Sequence, residues 1–350
     1  MPVDNASLHR PQRGPLRSPL VPIGTLLSSG GTVLTYHGVQ ERHSRPSSSM
    51  HVPLDTFART MRAVGRVASF VPLRELVMRH LSGRPTRGLV AVTFDDAYAS
   101  VATSAWRVLA ELEIPVTMFV VTDAAVSGVP FWWDRVDALF DAANAEQWRA
   151  FEEACGLPAT FRHGQPTDMG PLRPLRQWIL AEHSGRWPEE LEPVIARVER
   201  DLACGPQQWP LTFEQLDELV KSPLVDLGVH TVSHPVLPLL SDDAQRQEIR
   251  ASFRILAERY ACTLPVLAPP FGLYDRRTFE VLREEGLEAC LSLEAASLRD
   301  GTQSALIPRF CMSARHPPWK AVLYAMGVWG GGRLRPRMPG RCPDLPSAST

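Results

Sequence analysis

The chain has 350 residues, 44% of them hydrophobic and 21% charged. That is apolar material for one large domain or two of ordinary size, and it excludes a chain disordered throughout. Lysine and arginine total 37 against 38 aspartate and glutamate, a net charge of −1, so no bulk field favours nucleic acid or an anionic membrane as partner.

Residues 1–28 are rich in Pro, Arg and Ser without periodicity and read as a disordered leader. Thr32–Tyr36 has the pattern of a buried strand, and Phe57, Met61, Val64 and Ala68 follow at helical spacing. Leu89–Phe94 is a second strand. Val101, Ala105, Val108, Leu109 and Leu112 share one face of the next helix. Pro115 ends that pattern, and Val116–Val121 is a third strand.

Residues 129–211 interrupt the alternation. They hold Trp132, Trp133, Trp148, Trp178, Trp187 and Trp209, and their periodicity is helical. The segment reads as a helical insertion whose tryptophans either pack it onto the main body or stack on sugar faces. The alternation then resumes with a helix over Phe213–Leu219 and a strand over Leu224–Val229. Ser241 caps the next helix, with Asp242 and Asp243 in its first turn. Pro265–Ala268 is a strand, Asp275 opens a helix that ends at Gly286, and Ala289–Leu293 and Leu306–Met312 are the last strands. Residues 330–350, with Arg333, Arg335, Arg337 and Arg341, read as a disordered tail.

Strands alternating with helices imply an α/β fold with a parallel sheet. About seven strands over residues 29–329 favour a (β/α) barrel above an open doubly wound sheet. Neither GxGxxG nor GxxxxGK[ST] occurs, so the two main phosphate-cradling motifs are absent. The cysteines, Cys155, Cys204, Cys262, Cys290, Cys311 and Cys342, are too scattered for a cysteine zinc site and too sparse for a disulfide scaffold. No run approaches the ~18 apolar residues of a transmembrane helix, and no signal-peptide pattern opens the chain. A cytoplasmic location is the resulting expectation.

Three polar clusters follow predicted strands, where a β/α barrel carries its active site. In Thr93-Phe94-Asp95-Asp96-Ala97-Tyr98, two adjacent carboxylates stay ionised together only beside a cation or strong donors. In His230-Thr231-Val232-Ser233-His234, two imidazoles four apart can converge on one ion, and Pro235 marks a loop rather than a helix. Leu267-Ala268-Pro269-Pro270-Phe271-Gly272 is a rigid turn able to aim a backbone N–H into a cleft. Each cluster alone is compatible with an ordinary loop. Together, one aspartate and two histidines make a three-ligand set suited to Zn²⁺ with an open position, leaving a second aspartate as base. That describes metal-assisted hydrolysis of an amide or ester.

The ordered motifs resemble the polysaccharide deacetylases of the NodB-like carbohydrate esterase group. Leu34-Thr35-Tyr36-His37-Gly38-Val39 is similar to the family's YHxV element, and TFDDAY at 93–98 to TFDDG, with Ala97 in place of glycine. Pro115–Val120 resembles PATFFV, and Phe131-Trp132-Trp133-Asp134 the WWD that opens an insertion in one branch. HTVSHP at 230–235 matches HTxxHP, 267–272 resembles FAYPFG, and Leu306–Phe310 resembles LPRI. The resemblance implies a distorted barrel and a divalent metal, zinc before others, held by Asp96, His230 and His234. It implies Asp95 as general base and an oxyanion held by the metal and a backbone N–H near Phe271.

Many members carry an arginine where this chain has Ala268; Arg309 is the expected substitute that orients Asp95. His37, ahead of His316, is the expected general acid. Tyr98, Trp133, Pro270 and Phe271 are the expected substrate-contacting residues. The implied substrate is an acetylated glycan or glycoconjugate, with no nucleic-acid partner. A small non-sugar amide as substrate, and a non-catalytic glycan-binding barrel, are the alternatives.

Overall fold

The computed structural model describes residues 26, 28, 30–41, 50–158 and 173–328. The expected leader, apart from residues 26 and 28, and the expected tail fall outside these residues. The strands, in chain order, are β1 (Thr32–Tyr36), β2 (Val39–Gln40), β3 (Val52–Pro53), β4 (Ser69–Phe70), β5 (Leu89–Phe94), β6 (Val116–Val120), β7 (Val225–Val229), β8 (Thr263–Leu267), β9 (Ala289–Leu291), β10 (Leu306–Ile307) and β11 (Phe310–Cys311). The main sheet runs β10-β9-β8-β7-β6-β5-β1-β11, with β4 added beside β5. Every pair in it is parallel. β10 lies at one edge and β11 at the other, yet only Pro308 and Arg309 separate them. The expected last strand is thus one extended segment split between the two edges, which curls the sheet into a distorted barrel.

Helices Leu54–Val64, Leu73–Leu81, Trp106–Glu111, Phe213–Leu219, Asp242–Arg259, Arg276–Glu285 and Pro318–Ala325 clothe this sheet. Their ends follow ordinary capping physics. Ser241 accepts a hydrogen bond from the Ala244 N–H, Asp275 caps through Thr278, and Gly286 ends its helix at φ +72°. Between β6 and β7, helices Trp132–Ala142, Ala145–Ala154, Arg173–Glu182 and Glu192–Asp201 build a separate apolar cluster. Trp132, Trp148 and Trp178 are buried in that cluster, and Trp133 and Trp187 pack against it. Five of the six tryptophans therefore hold the insertion together. Among the described residues, no helix is long and apolar enough to cross a membrane.

The strands are buried on both faces, and successive side chains alternate between two environments. Leu34, Val92, Met118 and Leu227 join one apolar cluster, whereas Val33, Ala91, Phe119, Val266, Leu291 and Ile307 join another. Carried one step past each strand, the second series arrives at His37, Asp95, His230 and Arg309. Period-two alternation is what aims these four side chains the same way.

Gly228 lies inside β7, paired with Phe119 of β6. A Cβ at Gly228 would stand 2.4 Å from Phe119 Cε1. The missing side chain lets the Phe119 ring lie flat, and the Arg309 guanidinium sits over that ring, 5.7 Å from its centre. Gly228→Ala is expected to lower stability by about 1–3 kcal/mol through overpacking, read by urea denaturation. Phe119→Leu should restore part of that loss; an unchanged midpoint in Gly228→Ala would refute the account.

Candidate active site

Three loops meet at the C-terminal ends of the strands. Each continues the sheet ladder by one bond: Asp95 N–H to the Tyr36 carbonyl at 2.9 Å, His230 N–H to Val120 at 3.2 Å, and Ala268 N–H to Val229 at 2.9 Å. The chain then turns sharply. Asp96 (φ +65°), Ala97 (+49°), Thr231 (+68°), His234 (+60°) and Phe271 (+58°) are all left-handed. Such backbone costs roughly 1–2 kcal/mol per non-glycine residue, and its concentration on these loops marks a site whose geometry is held against local preference. Ala97 at +49° also explains why glycine suits that position in the TFDDG pattern.

The structure brings Asp96, His230 and His234 together. Nε2 of each imidazole lies 3.3 Å from Asp96 Oδ1, and one ligand atom from each residue falls within 4.8 Å of the others. Asp96 Oδ1 is buried and makes no hydrogen bond. An orphaned carboxylate oxygen facing two imidazole nitrogens fits a cation and little else. His230 Nδ1 is 2.6 Å from the Ala268 carbonyl, which fixes the proton there and leaves Nε2 as the free donor atom.

Asp95 stands apart from that cluster. Arg309, fully buried, grips it by two bonds, Nη1 to Oδ1 at 2.7 Å and Nη2 to Oδ2 at 2.9 Å. Arg309 Nε donates to the Ser292 carbonyl at 3.2 Å. The guanidinium is therefore committed to one orientation.

The electrostatics follow from burial and contact. Burial pushes the Asp95 carboxyl up, but Arg309, then His230 and His37, more than offset it and hold it below the usual carboxylate range. Burial likewise raises Asp96, and the two imidazoles overcome that, leaving it well below the range. Burial lowers His230, but its contacts with Asp96, Asp95 and the Ala268 carbonyl win and raise it. For His234 burial prevails and lowers it.

His37 is half-buried, with Nδ1 unpartnered. Burial lowers its imidazole despite the opposing pull of Asp96 and Asp95. His316 accepts the Ser313 N–H at 3.0 Å through Nδ1. Burial and then Lys320 lower it, with neither site aspartate acting on it.

Two expected substrate contacts need correcting. Tyr98 is buried, with its hydroxyl donating to Asp134 Oδ2 at 2.6 Å and accepting from Trp133 Nε1 at 2.8 Å. Pro270 is also buried. Trp133 and Phe271 are partly exposed and stand over His234, each ring 4.7 Å from the imidazole. Tyr98 thus supports Trp133 from behind, and Asp134 extends that support to buried His51 at 3.2 Å. Sequence reading singled out neither Asp134 nor His51 for a role. The WWD tripeptide was the available signal for Asp134, and nothing local marks His51.

A curled parallel barrel with an Asp–His–His cluster and a separately held aspartate at its strand ends defines a hydrolase class. The sequence profile of the polysaccharide deacetylases matches residues 82–147 and 195–290; residues 1–81, 148–194 and 291–350 lie outside the match. That match and the site geometry together support a polysaccharide deacetylase, a hydrolase acting on carbon–nitrogen bonds. No curated protein matches it. Among solved structures it is similar to IcaB from Ammonifex degensii at 20% identity and TM-score 0.55, covering 85% of this chain and 98% of that one. The Streptococcus pyogenes deacetylase PplD is 17% identical with TM-score 0.53, over 84% and 97%. A Bacillus cereus polysaccharide deacetylase is 13% identical with TM-score 0.52, over 84% and 68%. At these identities the likeness supports the fold.

Proposed function

We propose that this chain is a zinc-dependent hydrolase removing acetyl groups from N-acetylated sugars in a polysaccharide or glycoconjugate. The observation that carries the reading is the buried, unbonded Asp96 Oδ1 facing His230 and His234, with Asp95 held separately by Arg309. Asp96, His230 and His234 would hold the ion. When bound, a zinc ion polarises the acetyl carbonyl and makes a water acidic enough to attack near neutral pH.

Asp95 is ionised at neutral pH and takes the proton of the attacking water on a carboxylate oxygen; each oxygen keeps a lone pair beyond its bond to Arg309. The Phe271 N–H, on the turn whose ring stands against His234, would donate to the acetyl oxygen as negative charge develops there. His37 rests neutral, so it passes a proton to the leaving nitrogen only after receiving one from Asp95. Trp133 and Phe271 offer rings for the apolar face of a sugar. PplD, a relative in fold, has been solved in complex with acetate, the product this reaction would release.

The test is metal content together with acetate release from a panel of N-acetylated and O-acetylated sugars and simple amides. Wild type should carry stoichiometric zinc and release acetate from N-acetylhexosamine oligomers. His230→Ala should lose both. Wild type without zinc, and inactive with any added divalent metal, would refute the reading. Release from simple amides alone would replace the sugar with a small-molecule substrate. His37→Ala turnover within about twofold of wild type would remove His37 from proton transfer.

A further inference from the structure

The loop carrying His230 and His234 contains two left-handed residues, Thr231 and His234. Its one internal tie is the His234 N–H donating to Thr231 Oγ1 at 3.1 Å. Left to itself, such a loop would relax and draw the imidazoles apart.

Two charged residues outside the ligand set restrain it. Glu248, on helix Asp242–Arg259, accepts the backbone N–H groups of Val232 and Ser233 at Oε2, both at 2.9 Å. Its Oε1 accepts the Ser233 hydroxyl at 2.7 Å. Arg186 comes from the helical insertion. Its Nη2 donates to Glu248 Oε1 at 2.6 Å and its Nε to Ser233 Oγ at 2.9 Å. The donors and acceptors match without conflict: Ser233 gives its proton to Glu248 and receives one from Arg186.

The turn bearing Arg186 touches the site twice more. The Ser184 carbonyl accepts the Val236 N–H at 2.7 Å. Gly185 adopts φ +80°, and a Cβ there would come within 2.9 Å of Phe271 Cε2 and 3.2 Å of Val236 Cγ2. The Gly185 carbonyl is tied back to Trp132 Nε1 at 2.9 Å. One turn of the insertion therefore abuts both the histidine loop and the Phe271 loop.

We infer that Arg186 and Glu248 are positioning residues that hold the His230–His234 loop in its cation-binding shape, and that the helical insertion is a structural part of the metal centre. The inference rests on the reading of Asp96, His230 and His234 as ligands. Neither residue bonds those three side chains; Glu248 acts on the loop through the Val232 and Ser233 N–H groups, and Arg186 through the Ser233 hydroxyl and Glu248.

The experiment titrates metal-free full-length protein with Zn²⁺ against a chromophoric chelator, and follows amide exchange at Val232 and Ser233. Loss of an outer partner of a metal ligand typically weakens affinity about 10- to 100-fold. Arg186→Met is expected to weaken zinc binding by about that factor and to speed exchange at the two amides, while exchange in β7 stays slow. Glu248→Gln keeps an acceptor oxygen but loses the charge pair, so it should fall between wild type and Arg186→Met. Arg186→Lys cannot span Ser233 and Glu248 with one ammonium and should rescue only partly. Arg246→Met, which breaks an exposed ion pair of the same helix with Glu284, should bind zinc like wild type. Arg186→Met and Glu248→Gln binding zinc within twofold of wild type would overturn the inference. If instead His234→Ala binds as tightly as wild type, the ligand assignment fails, and the inference falls with it.

Discussion

Arg309→Met is expected to cost about 3–5 kcal/mol of stability, the usual result of stripping one partner from a buried ion pair. Arg309 is fully buried, and both of its Nη atoms bond Asp95. Without it the Asp95 carboxylate would sit in the barrel mouth with its main counter-charge gone. Burial already pushes that carboxyl up, and Arg309 is the largest influence pulling it down.

The pH dependence follows with a definite sign. In wild type the folded carboxyl lies below its unfolded value of about 3.9, so its stabilisation is complete above that value and is lost as pH falls through the lower folded one. In Arg309→Met the folded value rises, so stability contributed at low pH is lost as pH climbs. The difference between the two proteins should therefore widen between about pH 4 and pH 7, as read from urea midpoints. The acid limb of the activity profile should also move to higher pH, because the base now holds its proton longer. Arg309→Lys should recover little, since one ammonium cannot make the paired contact. Equal stability of wild type and Arg309→Met at neutral pH would refute this account.

Asp95→Asn is expected to keep bound zinc and to lose about 100- to 10,000-fold in turnover, the range for removing a general base. The three clustered ligands leave Asp95 out, so metal content should hold. The amide would set an N–H₂ against one Nη of Arg309, where two donors cannot bond. A modest stability loss of about 1–3 kcal/mol should accompany the change. The decisive pair of measurements is metal per chain and acetate released per minute. Turnover within tenfold of wild type would remove Asp95 from the chemistry, and loss of zinc would make it a ligand.

Much of the scaffold was legible because strand and helix patterns are local. The strands over Thr32–Tyr36, Leu89–Phe94, Val116–Val120 and Val225–Val229 stand within a residue of their expected bounds. The Ser241 and Asp275 caps are local as well, since a cap bonds its own helix. Helices Leu73–Leu81, Thr122–Ser127 and Pro318–Ala325 went unread, because short helices offer too few turns for a period to emerge. The Glu248 anchor left a faint signal: Gln245, Glu248 and Ser252 are polar residues on the buried face of their helix. Polar groups there need partners, but the spacing names none.

What the sequence alone determined is the strand rhythm, the caps and the order of the motifs, all set by forces between residues a few positions apart. The family resemblance assigned Asp96 to the imidazoles and Asp95 to Arg309, but no local pattern separates two adjacent aspartates; the tertiary structure supplies the physical reason. The left-handed turn at Asp96 swings one carboxylate toward His230 and His234, while Asp95 keeps the alternation of its strand. Arg309 reaches Asp95 across 214 positions because the split last strand joins the two sheet edges. An ion pair falls off with distance in space and is indifferent to distance along the chain, so the expected Arg309–Asp95 pairing has a physical basis only once the barrel has curled.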